Sequence, residues 1–431
     1  MKNYQKRLLK TIPGGAHTYS RGYDQYPSNA PQILKGGKGA FLTDQNDNKY
    51  LDYGMGLRAV NIGYANEKIN ESAFEQINLG NNLTRPSFVE LHAAELLTDL
   101  IDSVDMVKFT KNGSTATTAA VKLSRAFTGR ELIARCAEQP FFSYDDWFIG
   151  STEIKKGVTK KDIDGTKLFN FNDISSLERL FDEYPDQIAC VILEPASTEH
   201  PKEDFLHKVQ NLCKKFNSVF ILDEMITGFR WHLKGAQYYY GIEPDLSTFG
   251  KAMANGFSVS AVAGKREIMQ QGSIEFKGDE RLFLLSSTHG AEMSSLGAFI
   301  ATVDFIREHK AIDHLWSYGS KLIHLMNNMA QNFNLENNFI VEGIECSPYY
   351  LTFDNEGNNS LGLRTLFSQE MIKNGVLIPW IALSYAHQEP ELNFTLNALE
   401  KTFDVYRKAI DNGYEKYLKG DVIKPVFRKY N

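Results

Sequence analysis

Apolar positions along the chain follow two spacings that alternate. From about residue 87, segments with apolar residues every three or four positions take turns with short, unbroken apolar runs. Helical spacing marks SFVELHAAELLTDLI, the Ala-rich STATTAAVKLSRAFTG that ends at Gly129, SSLERLFDEY and EDFLHKVQNLCKKF. Between them lie MVKFT, ELIARC, IACVILEP and SVFILDE. The last two runs offer no polar face, which suits central strands of a parallel sheet covered on both sides. The alternation predicts an α/β fold with a mostly parallel sheet.

The two ends read differently. Residues 1–50 contain Gly14, Gly15, Gly22, Gly36, Gly37 and Gly39. They predict an irregular arm followed by a hairpin over FLTDQNDNKYLDY, where turn residues separate two apolar ends. After about 290 a long helical stretch with one break is expected. Beyond it come IVEGIECSPYYLTFDN, a helix near LRTLFSQEMIKNG, strand-like VLIPWIAL and a last helix in EPELNFTLNALEKTFDVYRKAI. The pattern predicts an arm and hairpin first, then an α/β region, and a separate C-terminal α+β domain after about 290.

Composition narrows the class without changing this picture. The 431 residues, 42% hydrophobic and 23% charged, describe a globular chain long enough for more than one core. A net charge of −6 and the lack of a long Lys/Arg run give no general reason to bind nucleic acid or an anionic membrane. The opening MKNYQKRLLKTIPGG is too polar for a signal peptide and no run of about 18 apolar residues occurs, so the cytoplasm is the expected compartment. Cys136, Cys190, Cys213 and Cys346 form no C-x-x-C pair and have no histidines at zinc spacing. They read as reduced core residues, and no metal site is expected.

The strand ends carry the candidate chemistry, because ligands of open α/β sheets bind there. Glu194 ends ACVILEP, Asp223 and Glu224 end VFILDE, and Lys251 follows DLSTFG. A lysine and an acid so placed have one joint use in enzymes of pyridoxal 5'-phosphate (PLP). The lysine holds the cofactor's aldehyde, and the carboxylate keeps the pyridine nitrogen protonated so that the ring accepts electrons. The same residues also fit a helix cap and a surface lysine. The small neighbours in STFGKAMANG would let a cofactor approach the backbone. Gly113, Ser114 and Thr115 in KNGSTATTAA sit between a strand and a helix, where amides and hydroxyls suit a phosphate. An ordinary N-cap needs the same residues. Phe141, in the aromatic RCAEQPFFSYDDWFIG, is a candidate cover for the ring, whereas Phe142, Trp147 and Phe148 read as core. The G-x-G-x-x-A pattern at Gly54, Gly56 and Ala59 opens no clean helix, so it does not read as a dinucleotide fingerprint. His17, His289 and His387 read as structural.

The residues resemble one family. PGGAHTYSR, KNGSTATTAAVKLSRAFTGR, VILEP, LDEMITGFR, STFGKAMANGFSVSAVAGKREIM, SSTHGAE and SYAH together resemble class III, fold-type I PLP aminotransferases, most closely their glutamate-1-semialdehyde aminomutase-like branch. The resemblance implies a large PLP domain over 56–298 with a mostly parallel seven-stranded sheet, and a small α+β domain made from both chain ends, the arm and part of it over 1–55 and the rest over 299–431. It implies that Lys251 carries the cofactor, that Asp223 pairs with the pyridine nitrogen, that Gly113, Ser114 and Thr115 hold the phosphate, and that Phe141 stacks on the ring. It places Thr288 on the phosphate of a partner subunit, hence a homodimer with sites at the interface. Arg21 falls where aminomutases keep a carboxylate anchor. Gly56-Leu57-Arg58-Ala59 replaces a Ser-Trp-Gly-Pro stretch, Phe141-Phe142-Ser143 replaces a Tyr-His-Gly type stretch, and Pro379 replaces a glutamate. With Arg58 and Arg85 in place of small residues, and Glu194 beside them as a substrate-side candidate, the resemblance implies an aminotransferase. It would act on a small-molecule amino donor and an aldehyde or ketone acceptor, anionic or sugar-derived. The alternatives are the aminomutase itself, a racemase or epimerase, and a PLP-binding protein without catalysis.

Overall fold

The computed structural model describes residues 3–276 and 280–430. They separate into two compact units, one from the chain ends (Met1–Asn66 with Asp313–Arg428) and one from the middle (Glu67–Ile312, with Lys429–Asn431). The expected divisions are at 55/56 and 298/299, and the compact units divide at 66/67 and 312/313. Tyr64 exchanges backbone hydrogen bonds with Gly39 at 2.8 and 2.9 Å, which keeps 56–66 with the ends. The helix Met293–His309 packs on the helices Glu67–Asn78 and Phe88–Leu100, and the Ser72 hydroxyl donates to the Gly297 carbonyl at 2.9 Å. That burial keeps it with the middle.

The end-built unit starts with a helix, Tyr4–Thr11, and three 3₁₀ turns where an irregular arm was expected, followed by an antiparallel meander of β1 (Leu34–Lys38), β2 (Phe41–Asp44) and β3 (Lys49–Asp52). Asp44 closes the expected hairpin turn. Its Oδ1 accepts the amides of Asn46 and Asn48 at 2.8 and 2.9 Å.

The middle unit holds β4 (Met106–Thr110), β5 (Leu132–Cys136), β6 (Thr166–Phe169), β7 (Ile188–Leu193), β8 (Val219–Glu224), β9 (Leu246–Phe249) and β10 (Ser260–Gly264). They form one sheet in the order β4-β10-β9-β8-β7-β5-β6. The five strands from β9 to β6 are parallel, and β10 runs antiparallel to both its neighbours. Two reversals cancel, so β4 points the same way as β9. The C-terminal ends of β4, β5, β7, β8 and β9 therefore share one edge, and that edge is the candidate site. Every residue of β7 and β8 is buried, as their unbroken apolar runs require. The helices Ile174–Glu183 and Phe205–Lys215 bury Phe181, Leu206 and Val209 in one cluster with Phe169, Val191 and Phe220.

The C-terminal part contributes β11 (Phe339–Ile344) and β12 (Ser347–Thr352), a hairpin, and β13 (Val376–Leu377), which adds parallel to β3. VLIPWIAL is thus a strand over two residues only. It is apolar because Ile378, Ile381, Ala382 and Leu383 are buried, and past Leu377 its backbone is held by side chains and by the Ala382 amide donating to the Tyr53 carbonyl at 2.8 Å, not by a ladder. The Tyr350 hydroxyl donates to the Ile378 carbonyl at 3.0 Å and the Arg364 guanidinium to that of Pro379 at 2.8 Å. The expected break in the long helical stretch is Lys310, at φ 48°, between Met293–His309 and Ala311–Asn332. Phe339, Tyr350, Phe367, Phe403 and Tyr406 form an aromatic core. All four cysteines are buried, with no disulfide among the described residues. Among those residues no helix is long and apolar enough to cross a membrane.

Candidate active site

Asp223 and Glu224 are neighbours at the end of β8 with different surroundings. Glu224 caps the helix Gly235–Tyr240. Its carboxylate accepts the amides of Ala236 at 2.9 Å and Gln237 at 2.8 Å, and the Thr227 hydroxyl as well. Asp223 is 2% exposed, and its Oδ1 accepts the Met225 amide at 3.0 Å and the Thr248 hydroxyl at 2.8 Å. Burial raises its pKa, the positive charge of Lys251 and these hydrogen bonds oppose the rise, and the outcome is a pKa of about 6. Alternation along β8 explains the split: successive side chains leave a strand on opposite faces.

Lys251 starts a short 3₁₀ turn, Lys251–Ala254, just past β9. Its φ of 43° is left-handed, at a cost of about 1–2 kcal/mol that the surrounding packing must hold in place. Small residues are needed beside it. A Cβ on Gly250 would lie 2.3 Å from Met225 Sδ and 2.5 Å from Ser260 Oγ, and one on Gly113 would lie 2.9 Å from the same sulfur. Met225 therefore packs between the lysine turn and the head of the helix Gly113–Thr128, bringing the ends of β4, β8 and β9 together.

That helix head presents free backbone amides at the same edge. Asn112 is the N-cap, and its side chain accepts both the amide and the hydroxyl of Thr115, at 2.9 and 3.0 Å. The first-turn amides of Gly113 and Ser114 have no partner among the described residues, as geometry dictates at a helix start. The segment after β5 is stitched to the same helix. The Thr117 hydroxyl donates to the Phe142 carbonyl at 2.9 Å and the Tyr144 amide to Ser114 Oγ at 3.1 Å. Phe142, Trp147 and Phe148 are buried, whereas Phe141 is 47% exposed, its ring 5.7 Å from Phe148. A buried acid, a lysine, an amide-lined helix start and an uncovered aromatic ring on one sheet edge fit a phosphorylated pyridine aldehyde.

The other candidates divide. Glu194 is buried at the end of β7, its backbone clasped by the Gln139 side chain at 2.7 and 2.8 Å. Thr288 is exposed in the turn 287–290, and Arg85 is exposed before the helix Phe88–Leu100. Arg21 and Arg58 belong to the end-built unit. Arg21 is exposed in a 3₁₀ turn. Arg58 donates to Ser347 Oγ at 2.6 Å from the segment 55–58, whose left-handed backbone excludes a dinucleotide fold there. His387 is structural: its Nε2 donates to the Asp52 carbonyl at 3.0 Å, its Nδ1 accepts the Ser384 amide at 3.1 Å, and burial lowers its pKa to about 3. Residue spacing gave no signal for Met225, Thr248 or Gln139. Only Asn112, a cap residue before a helix, carried one that could have been used.

Comparison with known proteins agrees with this geometry. The family description "Aminotransferase class-III" matches residues 23–339. A 3-aminobutyryl-CoA aminotransferase from Cloacimonas acidaminovorans (strain Evry) is 29% identical over 93% of this chain and 95% of its own. A glutamate-1-semialdehyde 2,1-aminomutase from Francisella tularensis subsp. tularensis (strain SCHU S4 / Schu 4) is 30% identical over 91% and 95%. The PLP form of the FumI protein from Sphingopyxis sp. MTA144 superposes with a TM-score of 0.87 at 25% identity, covering 95% of this chain and 97% of that one. The sheet edge and these relatives lead to one conclusion: the chain belongs to the class-III aminotransferases and works with PLP.

Proposed function

We propose that this enzyme moves an amino group in two half-reactions, from a small amino donor to an anionic aldehyde or ketone. The observation that carries the reading is the buried Asp223 beside Lys251 at the shared edge of β8 and β9. PLP, when bound, supplies an aldehyde that captures amines and a ring that takes up electrons from the bond being broken. Lys251 Nζ would hold the aldehyde, and as a free amine beside the substrate it would accept and return the proton of the substrate carbon. Asp223 keeps the ring nitrogen protonated. Gly113 and Ser114 hold the phosphate through their first-turn amides, Thr115 closes that turn through Asn112, and Phe141 covers the ring.

The same reading makes the enzyme a homodimer in which Thr288 serves the partner's phosphate. Phe74, Ile77, Leu79, Leu83, Phe88 and Leu91 support it. They are exposed apolar residues on and between two helices that both pack on Met293–His309. Covering each would gain about 1.5–3 kcal/mol. Arg21, Arg58, Arg85 and Glu194 are the substrate contacts of this reading, and the reduced cytoplasm, suited to four buried thiols, is its compartment.

Relatives named for the aminomutase favour a second reading, with both halves on one molecule. One experiment separates them. Enzyme preloaded with amine is mixed with glutamate 1-semialdehyde, and with a panel of anionic carbonyl acceptors. Conversion of an external acceptor, with no 5-aminolevulinate, supports the aminotransferase. Formation of 5-aminolevulinate at comparable rate assigns the aminomutase.

A further inference from the structure

Lys111 and Glu292 have no part in the mechanism above, yet they join its two phosphate-binding segments. Lys111 stands between the last residue of β4 and the cap Asn112, immediately before the amides of Gly113 and Ser114. Its ammonium pairs with the Glu292 carboxylate and donates to Ser295 Oγ at 3.2 Å. Its carbonyl accepts the Ser258 hydroxyl at 2.7 Å, from the loop between the Lys251 turn and β10. Glu292 closes the other side: it is the N-cap residue of Met293–His309 and directly follows the turn that carries Thr288. Its amide donates to the His289 carbonyl at 3.2 Å, and Gly290 lies against the Phe109 carbonyl of β4.

Asn81 completes the clamp. Its Nδ2 donates to Glu292 Oε1 at 3.0 Å, while its carbonyl and Oδ1 accept the amides of Met293 at 2.8 Å and Ser294 at 3.0 Å. The Lys111 hydrogen bond is the largest influence holding the Glu292 carboxyl below its ordinary pKa. The pair is only partly exposed, at 22% and 31%, so water screens it less than a surface pair.

We infer that Glu292 is a positioning residue. Through Lys111 it fixes the anion-binding turn 112–114, and through its own place in the chain it fixes the turn bearing Thr288. One ion pair thereby sets the register of two phosphate contacts that, in a dimer, serve different subunits. The inference rests on the reading of Gly113 and Ser114 as the phosphate cradle.

The sign of one measurement decides it. A carboxylate near a phosphate repels it, so a purely electrostatic Glu292 weakens anion binding and its removal tightens it. A positioning Glu292 does the reverse. The experiment titrates full-length apoenzyme with PLP, followed by absorbance, and repeats the titration with inorganic phosphate as competitor. Wild type is compared with Glu292→Ala, Lys111→Met, the double variant and Lys111→Arg. Each single truncation is expected to weaken PLP and phosphate binding on the order of tenfold, the double variant no further, and Lys111→Arg to stay near wild type. Thermal melting of each variant checks that the fold is present. Tighter or unchanged binding in Glu292→Ala overturns the inference, as does additive loss in the double variant. A wild-type apoenzyme that binds neither PLP nor phosphate instead overturns the reading of the cradle itself.

Discussion

Asp52 and Asp223 stand at the ends of two strands, β3 and β8, in different units, and each is 2% exposed. Burial raises the pKa of both. Their partners differ. Asp52 accepts the amides of Gly54 and Met55, both at 2.8 Å, and the Tyr64 hydroxyl at 2.7 Å. Both of its oxygens are committed to holding a left-handed turn. Asp223 accepts two donors on one oxygen and sits in the field of a lysine. An acid closed in by local donors is framework. An equally buried acid facing a cation at a sheet edge is poised for a ligand. Burial and pKa shift alone do not separate the two; the donor set does.

The largest effect comes from exchanging each acid for its amide. Asp223→Asn is expected to lower kcat on the order of 10²–10⁴-fold, in single-turnover assays, with little loss of stability because a buried charge is removed. Asp52→Asn is expected to do the opposite. It should cost about 1–3 kcal/mol in urea unfolding, with kcat within a few-fold of wild type. A catalytic collapse in Asp52→Asn, or an unaffected Asp223→Asn, would erase the distinction.

The pH dependence sharpens it. Asp223 binds its proton more tightly in the fold than in the unfolded chain. Its stabilising contribution is therefore complete below the ordinary pKa of 3.8 and lost as pH rises through about 6. Apoenzyme should lose on the order of 2–3 kcal/mol across that window from this group, and Asp223→Asn should lack the loss. Urea unfolding of both proteins at pH 4 and pH 7 measures the difference.

A smaller effect tests the packing around Asp223. Gly250→Ala places a methyl against Met225 Sδ and should cost about 1–3 kcal/mol. Adding Met225→Ala should recover part of it, read by thermal melting of the double variant. No recovery would mean that Met225 is not what keeps position 250 a glycine.

Much of this was legible from sequence, for identifiable reasons. β7 and β8 have unbroken apolar runs because both faces are buried, so their type and their ends, with Glu194 and Asp223, could be read directly. Ala-rich helical spacing and the glycine stop at Gly129 located Gly113–Thr128. β10 was not legible: SAVAG is small because it lies between β4 and β9, and its antiparallel insertion is a long-range pairing without a local signature. VLIPWIAL misled because burial makes a segment apolar whatever its backbone does. Spacing alone did not separate Asp223 from Glu224, since their different surroundings depend on Thr248 and Lys251, which the fold brings from another strand, and on Ala236 and Gln237.

The central claim is that Lys251 Nζ is the amine that holds the cofactor. Borohydride reduction of the holoenzyme followed by peptide mapping tests it directly. The account predicts a single pyridoxyl label on Lys251, within the peptide around STFGKAMANG. A label on any other lysine, or none on enzyme that retains the cofactor, would contradict it.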